Sequence, residues 1–451
     1  MKHIHSHTIT LCPACLQKTT SRIIEDDDKV FIERFCREHG YSRSLICGNS
    51  EWYRDSIKYV KPRQFPISNY LSSYQGCPDS CGLCPEHQQH TCLPVIEITS
   101  LCDLECPVCL KKFNKQFTLS LKDFKKAINC LLGYENKVDV INISGGEPTL
   151  HPQFEEMLKW ACNNFLQVTV STNGLRLLRD RNLRKLFKET DSIAAVQFDG
   201  FNPKTYRFLR GRDLSAPKKE LIHRLENEGV RYSLVSTIVK GVNDGEIHRI
   251  TDFFFRSNAL SLMFQPAAFT GRAQVLYRDD RRMTIPDIVR EIEKSNNVKM
   301  GDFNPLPCSH YSCFALSYYI KTQEHSFMSL KEFLGVEKYL DAIANKTLPG
   351  LDTEGYGLMK ERIYALWSAS DAGGLNEATL KRIKNVLQKM NASGFTRKKA
   401  YELGLSFMKA IFIHDFMDVH TFDFARLIKC CNPYLCSDGK LIPMCAQNVF
   451  F

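Results

Sequence analysis

Val138-Asp139-Val140-Ile141-Asn142-Ile143-Ser144-Gly145-Gly146-Glu147-Pro148 is a short β-rich run that breaks into a glycine-containing turn. Helix-period stretches flank it. Upstream, Leu121, Phe124, Ala127, Ile128 and Leu131 fall on one helix face, and downstream Phe154, Met157, Leu158 and Ala161 repeat the pattern. Five more β-rich runs, at 95–99, 167–171, 193–198, 231–239 and 260–264, lie on either side, mostly separated by helical stretches. Strands alternating with helices make parallel βα units. Six such strands over about 170 residues predict an α/β fold, a partial (β/α)6 TIM-like barrel whose function sits at the C-terminal strand ends. A doubly wound open sheet is the competing arrangement.

The distinctive residues lie at those ends. Strand one leads into Cys102-Asp103-Leu104-Glu105-Cys106-Pro107-Val108-Cys109, and strand two into Gly145-Gly146-Glu147. Strand three ends in Ser171-Thr172-Asn173-Gly174, and strand four in Gln197-Phe198-Asp199-Gly200. Three thiolates in a CxxxCxxC loop can hold three corners of a cubane iron–sulfur cluster, leaving one iron open to an exogenous donor. An amino acid's amine and carboxylate would suit that vacancy. The glycines would let backbone approach it closely, and the Glu147 carboxylate would accept hydrogen bonds from its ammonium group.

The whole chain constrains the reading further. Its 451 residues predict several domains. No run approaches the roughly 18 apolar residues of a membrane span, and the N-terminus lacks a signal-peptide core. A cytoplasmic protein is expected. There, 19 cysteines read as metal-binding or catalytic rather than as a disulfide framework. The net charge of +10 attracts anions without choosing among them, and no RNA-recognition motif points to nucleic acid. The basic stretch 176–184 and Arg397-Lys398-Lys399 offer peripheral contacts to anionic membrane headgroups, although a solvated helix face is the ordinary account.

The remaining cysteines form clusters. Cys77, Cys81 and Cys84 repeat the CxxxCxxC spacing, with Cys92 as a fourth thiolate for an auxiliary cluster or a structural zinc. Cys308 and Cys313 pair with Cys430, Cys431, Cys436 and Cys445 as a second auxiliary set, of which spacing does not select the members. Cys12, Cys15 and Cys36, with His39 or Cys47, suit a mononuclear tetrahedral site for zinc or iron.

The barrel motifs resemble the radical S-adenosylmethionine (SAM) superfamily over residues 92 to 305. That resemblance implies that Cys102, Cys106 and Cys109 ligate a catalytic [4Fe–4S] cluster and that SAM chelates its open iron. It places Gly145, Gly146, Glu147, Ser171 and Asn173 around SAM and makes Gln197 and Asp199 candidates for contacts to its ribose or to the substrate. The order of motifs along the chain is similar to the tetraether lipid synthase family. The elements are the CPxC and CxxHG knuckles, CPxxCGLCPxH, CxxxCxxC, GGEPT, QFDG, PLPCSHxSC, HxFMD beginning at His414 and CC…DGxxIPxC. This implies three [4Fe–4S] clusters, a rubredoxin-like metal site, and joining of lipid tails through sp³ carbon radicals. An electron donor such as flavodoxin or ferredoxin follows from the chemistry.

The expected organisation is a Cys-rich rubredoxin- or zinc-ribbon-like module at 1–60, an auxiliary-cluster segment at 61–92, the core barrel at 93–305 and a helical auxiliary-cluster region at 306–451. The expected activity is hydrogen abstraction from an unactivated sp³ carbon of a lipid. Epimerisation or methylation of a sugar, peptide or small pterin-type metabolite is the alternative, and a non-enzymatic metal or redox-sensing scaffold a third.

Overall fold

The computed structural model describes residues 3–68, 76, 84–111, 115–135, 138–323, 326–346, 348, 396–451 and isolated positions between 357 and 388. The N-terminal module is a four-stranded antiparallel sheet of β1 (His3–Leu11), β2 (Lys18–Asp26), β3 (Lys29–Cys36) and β4 (Gly40–Cys47), in that order. Its Arg34 reaches across to the C-terminal region. The guanidinium donates to the Leu11 carbonyl at 3.0 Å, to Ser44 Oγ at 2.6 Å and to the His420 carbonyl at 2.6 Å. A buried guanidinium needs such acceptors, so the module is fastened to the body by an interaction costly to break.

The second sheet begins with the six anticipated strands: β5 (Val95–Glu97), β6 (Val140–Ser144), β7 (Gln167–Thr172), β8 (Ile193–Gln197), β9 (Tyr232–Ile238) and β10 (Ser261–Pro266). Each pairs in parallel with the next. Residues beyond 300 then extend it. The added strands are β11 (Asn304–Pro305), β12 (Phe314–Gln323), β13 (Ser326–Ser329), β14 (Met408–His414), β15 (Pro433–Leu435) and β16 (Leu441–Pro443). β14 pairs in parallel with β10, with Leu262 opposite Ile411, and β12 runs antiparallel to β14. At the other edge β15 lies parallel to β5. The C-terminal segment therefore carries helices and also completes both flanks of the sheet. The strand order keeps two ends, so the barrel is partial.

Burial alternates along the strands. In β7, Val168 and Val170 are fully buried under the helices, whereas Thr169 and Ser171 turn inward and keep partial exposure. β10 behaves alike, with Leu262 and Phe264 outward and Ser261, Met263 and Gln265 inward. The amphipathic helices Leu121–Tyr134 and Phe154–Asn164 supply the covering layer through the apolar positions recognised in sequence. TIM-like interiors are ordinarily filled by layers of large branched side chains. Small inward residues leave this one hollow. No helix among the described residues is long and apolar enough to cross a membrane.

Candidate functional site

Cys102, Cys106 and Cys109 occupy the loop after β5 and all face one cavity. The loop is held by its neighbours. Arg272 N–H donates to the Cys109 carbonyl at 3.0 Å, while Gly146 N–H and Glu147 N–H donate to Thr99 and Leu101 carbonyls at 2.8 and 2.6 Å. A Cβ on Gly145, whose φ is +147°, would stand 2.4 Å from the Thr99 carbonyl oxygen, and one on Gly146 would stand 2.4 Å from that of Leu101. The glycines thus admit the β5 loop against the β6 loop. They also leave their own backbone on the cavity wall.

Glu147 departs from the expected role. It is fully buried, and its carboxylate accepts from Thr149 Oγ1 at 2.6 Å, Thr172 Oγ1 at 2.8 Å and Asn173 N–H at 2.7 Å. Burial raises its pKa, and these donors oppose the rise. Four of its acceptor positions are already taken, counting Thr149 N–H at 3.3 Å. In this arrangement it joins the ends of β6 and β7 and does not line the cavity.

Asn173 does line it, anchored by donation from Nδ2 to Asp103 Oδ1 at 2.6 Å, which ties the cysteine loop to the end of β7. Ser171 exchanges hydrogen bonds with Asn142 at 3.0 and 3.1 Å on the inner wall. Gln197 faces the cavity and hydrogen-bonds Asp199. Asp199 itself lies behind the wall, paired through both oxygens with Arg210 at 2.8 Å, and also accepts from Thr237 N–H at 3.0 Å. Arg210 emerges into the cavity beside Cys106. Burial opposes its charge, yet Asp199 and Cys106 hold its pKa above the ordinary value. Lys218, buried behind this group, donates to the Asn173 carbonyl at 2.5 Å and Gln197 Oε1 at 3.2 Å, and burial draws its pKa down to about 7. Sequence reasoning missed Arg210, Lys218 and Arg272. No local motif marks them, because they sit on helices and turns that meet the rim only in three dimensions.

The cavity measures about 780 Å³. It touches Ser144, Thr172, Gln197 and Gln265 at the rim and also Val140, Gln167, Ile193 and Leu260 at the opposite ends of the same strands. It therefore traverses the sheet, a length of about 17 Å for the six residues of β7. Ala410 and Phe412 line it, while Ile411 and Ile413 pack in the core.

The other described thiols meet across the spacing-based sets. Among the described residues Cys92 packs with Cys308 and Cys431, and its N–H donates to the Cys431 carbonyl at 2.8 Å. Those two thiols and burial raise its pKa. Cys313 and Cys445 flank the buried Arg426, which donates to the Ser312 and Asp415 carbonyls at 3.0 Å, and Cys430 lies near Cys445, Cys431 and Cys313. Cys436 stands apart, beside Glu97, Lys111 and Asp438. Cys84 is buried, and Cys77 and Cys81 lie outside the described residues. The physical reason for the regrouping is β15. Its pairing with β5 carries the Cys430-Cys431 pair back against Cys92.

In the N-terminal sheet the donor atoms of Cys12, Cys15, Cys36 and His39 lie within 4.8 Å of one another. Cys36 Sγ is 3.8 Å from Cys15 Sγ and 3.6 Å from His39 Nδ1. The His39 contact and neighbouring backbone N–H groups lower its pKa to about 6, favouring the thiolate that a metal requires. Cys47 is not in the quartet. Its buried thiol donates to the Asn49 carbonyl at 3.2 Å, and burial pushes its pKa up to about 12.

Two buried histidines make stability depend on pH. Burial lowers His414 to about 3 and His87, which donates to the Cys430 carbonyl at 2.9 Å, to about 4. Both are neutral when folded and take up a proton on unfolding below about 6.5. Their stabilisation is complete above that pH and is lost as pH falls towards 4. Denaturant titrations between pH 7 and 5 should show stability declining with a slope of up to roughly 1.4 kcal/mol per pH unit for each histidine. A flat profile would contradict this.

The model of the radical SAM superfamily matches residues 71–254. This chain is a radical SAM enzyme. The HMPTM N-terminal zinc ribbon domain matches residues 4–48 of the same enzyme, the sheet that carries the Cys12, Cys15, Cys36 and His39 quartet. The radical SAM enzyme is similar to 7,8-dihydro-6-hydroxymethylpterin dimethyltransferase of Methanocaldococcus jannaschii, with 29% identity covering 98% of this chain and 93% of that one. The antilisterial bacteriocin subtilosin biosynthesis protein AlbA of Bacillus subtilis is 27% identical over 51% of this chain and 49% of its own. The crystal structure of Streptococcus suis SuiB bound to S-adenosylmethionine aligns over 46% of this chain and 47% of that one, with 19% identity and a TM-score of 0.39.

Proposed function

We propose that this radical SAM enzyme removes hydrogen from an unactivated sp³ carbon of an elongated, largely apolar substrate lying in the bore, as the resemblance to the tetraether lipid synthase family implies. The supporting observation is the length of the cavity. A pocket for a compact metabolite needs only the rim, yet this one continues past Ala195 and Ser233 to the far strand ends. Its inner wall carries Val140, Ile193, Val235, Met263, Leu316 and Phe412.

Cys102, Cys106 and Cys109 fit the catalytic [4Fe–4S] cluster, since three thiols of one loop open on the cavity without a fourth from that loop. When bound, that cluster supplies an electron to SAM, giving methionine and the 5′-deoxyadenosyl radical that takes the substrate hydrogen. The protein's part is positioning. Gly145 and Gly146 offer backbone carbonyl groups, Ser171, Asn173 and Gln197 offer side-chain amides and a hydroxyl, and Arg210 offers a charged donor to a carboxylate. Asp199, Lys218 and Glu147 hold those groups from behind. Cys92, Cys308 and Cys431 form one candidate auxiliary-cluster site, and Cys313, Cys430 and Cys445 another. A flavodoxin or ferredoxin suits the electron requirement.

A second reading, methyl transfer to a pterin-type metabolite, is favoured by the nearly end-to-end match to the Methanocaldococcus enzyme. Ala195 and Ser233 sit side by side midway along the bore. Ala195→Phe should therefore block a threaded chain. We expect the variant to lose formation of coupled product from a long-chain lipid, assayed by mass spectrometry with SAM and dithionite. A pterin bound at the rim would still be methylated. Lipid coupling unaffected by the substitution would refute threading, and wild-type methylation of a dihydropterin without lipid turnover would establish the second reading.

A further inference from the structure

The far mouth of the bore, opposite the cysteine loop, is partly covered by the helix Arg397–Phe407. Tyr401 of that helix packs against Leu166, Leu348 and Leu405 and lines the cavity. It is 6% exposed, and its hydroxyl has no hydrogen-bond partner among the described residues. A buried phenolic hydroxyl normally finds one, because leaving it unpaired forfeits its hydration without return. An orphaned donor at the end of a cavity marks a place where a ligand atom would relieve that cost.

We propose that this mouth is a second substrate subsite, in which Tyr401 hydrogen-bonds a neutral polar group at the end of the threaded chain. The proposal rests on the reading that an elongated substrate occupies the bore. The chemical class follows from the charges nearby. Lys409 lines the same mouth, but its ammonium already donates to the Phe254, Ser257 and Ala259 carbonyls, each at 2.8 Å. Lys346 is engaged as well. Arg231, behind Tyr401, is paired with Asp191 at 2.8 Å. With these cations committed, a phosphate or carboxylate gains no counter-charge here, and burial would oppose its ionised form. A hydroxyl, ether or amide suits one uncharged donor. Burial also raises the Tyr401 pKa, which keeps the phenol protonated and able to donate.

The subsite acts as a ruler. A polar end fixed beside Tyr401 places carbons about 17 Å away at the level of the cysteine loop. Carbons close to the polar group would lie out of reach of the hydrogen-abstracting rim.

The test uses the reconstituted full-length enzyme with hexadecan-1-ol and hexadecane as probes, presented in detergent micelles. Displacement of a fluorescent long-chain alcohol, measured without reductant, should show that the wild type prefers the alcohol over the alkane. Tyr401→Phe should weaken the alcohol about threefold to tenfold, the effect of one hydrogen bond, and leave the alkane unchanged. With SAM and dithionite, deuterium placed on the methyl-terminal half of the alcohol should appear in 5′-deoxyadenosine far more than deuterium placed beside the hydroxyl. Tyr401→Phe should reduce that difference. The variant should melt no lower than the wild type, since it removes only an unpaired hydroxyl; a large drop would show a structural partner and overturn the proposal. An alcohol preference and labelling pattern untouched by Tyr401→Phe would overturn the subsite while leaving the threaded substrate intact. If neither probe binds and neither donates deuterium, the threaded-substrate reading falls and the subsite falls with it.

Discussion

Replacing Cys102, Cys106 and Cys109 together by alanine should reduce 5′-deoxyadenosine formation from SAM and dithionite to the protein-free background. Three thiols from one loop face the cavity, and a cubane cluster deprived of all three has no neighbouring donors in that loop. The iron content of anaerobically reconstituted protein should fall by about four per chain, the content of one cubane cluster. Metal held by the Cys12, Cys15, Cys36 and His39 quartet should remain, because that site lies in the N-terminal sheet. Retention of SAM cleavage by the triple variant would refute the assignment. Loss of the N-terminal metal along with the cluster would instead indicate general misfolding, which circular dichroism and the melting profile would reveal.

The second large effect concerns stability. Asp199 is fully buried, and Arg210, 9% exposed, is held by both of its oxygens. Asp199→Asn keeps the shape and removes the charge. The guanidinium then remains in the interior with Thr237 and Cys106 beside it and no carboxylate. Breaking a buried pair from one side costs about 3–5 kcal/mol. Urea denaturation should therefore show a destabilisation of that order, and a change below about 1 kcal/mol would contradict it. Asp199→Leu combined with Arg210→Met should recover much of the loss, because the uncompensated charge is gone. SAM binding should not recover with it, since Arg210 is the member of the pair that reaches the cavity. Separating these two measurements distinguishes positioning from simple scaffolding.

The bore was legible in part. QVTVST in β7 and SLMFQP in β10 alternate small or polar residues with large apolar ones. Strands of a parallel sheet buried on both faces read as nearly continuous apolar runs, so alternation is itself a sign of an unfilled interior. The run Ala410-Ile411-Phe412-Ile413 could by its apolarity line a channel, with core the ordinary reading. The structure divides it, with Ala410 and Phe412 on the cavity and Ile411 and Ile413 in the core. Its place as a parallel strand beside β10 depends on a partner nearly 150 residues away in sequence. GGE was readable as a functional turn, but the buried state of Glu147 was not. Its acceptors are satisfied by Thr172 and Asn173 from the next strand end, contacts that a linear motif does not contain.

The sequence by itself determined the parallel βα core, the placement of the distinctive residues on one rim and the radical SAM character of the enzyme. These depend on local periodicity and on closely spaced motifs, which are complete within one loop or one βα unit. Tertiary structure decided which cysteines meet, that Arg210 and Tyr401 face the cavity, and that the barrel is hollow from end to end. Each of those facts is a contact between elements far apart in the chain, set by how strand edges pair and how much side-chain volume the interior receives. Linear spacing carries neither quantity.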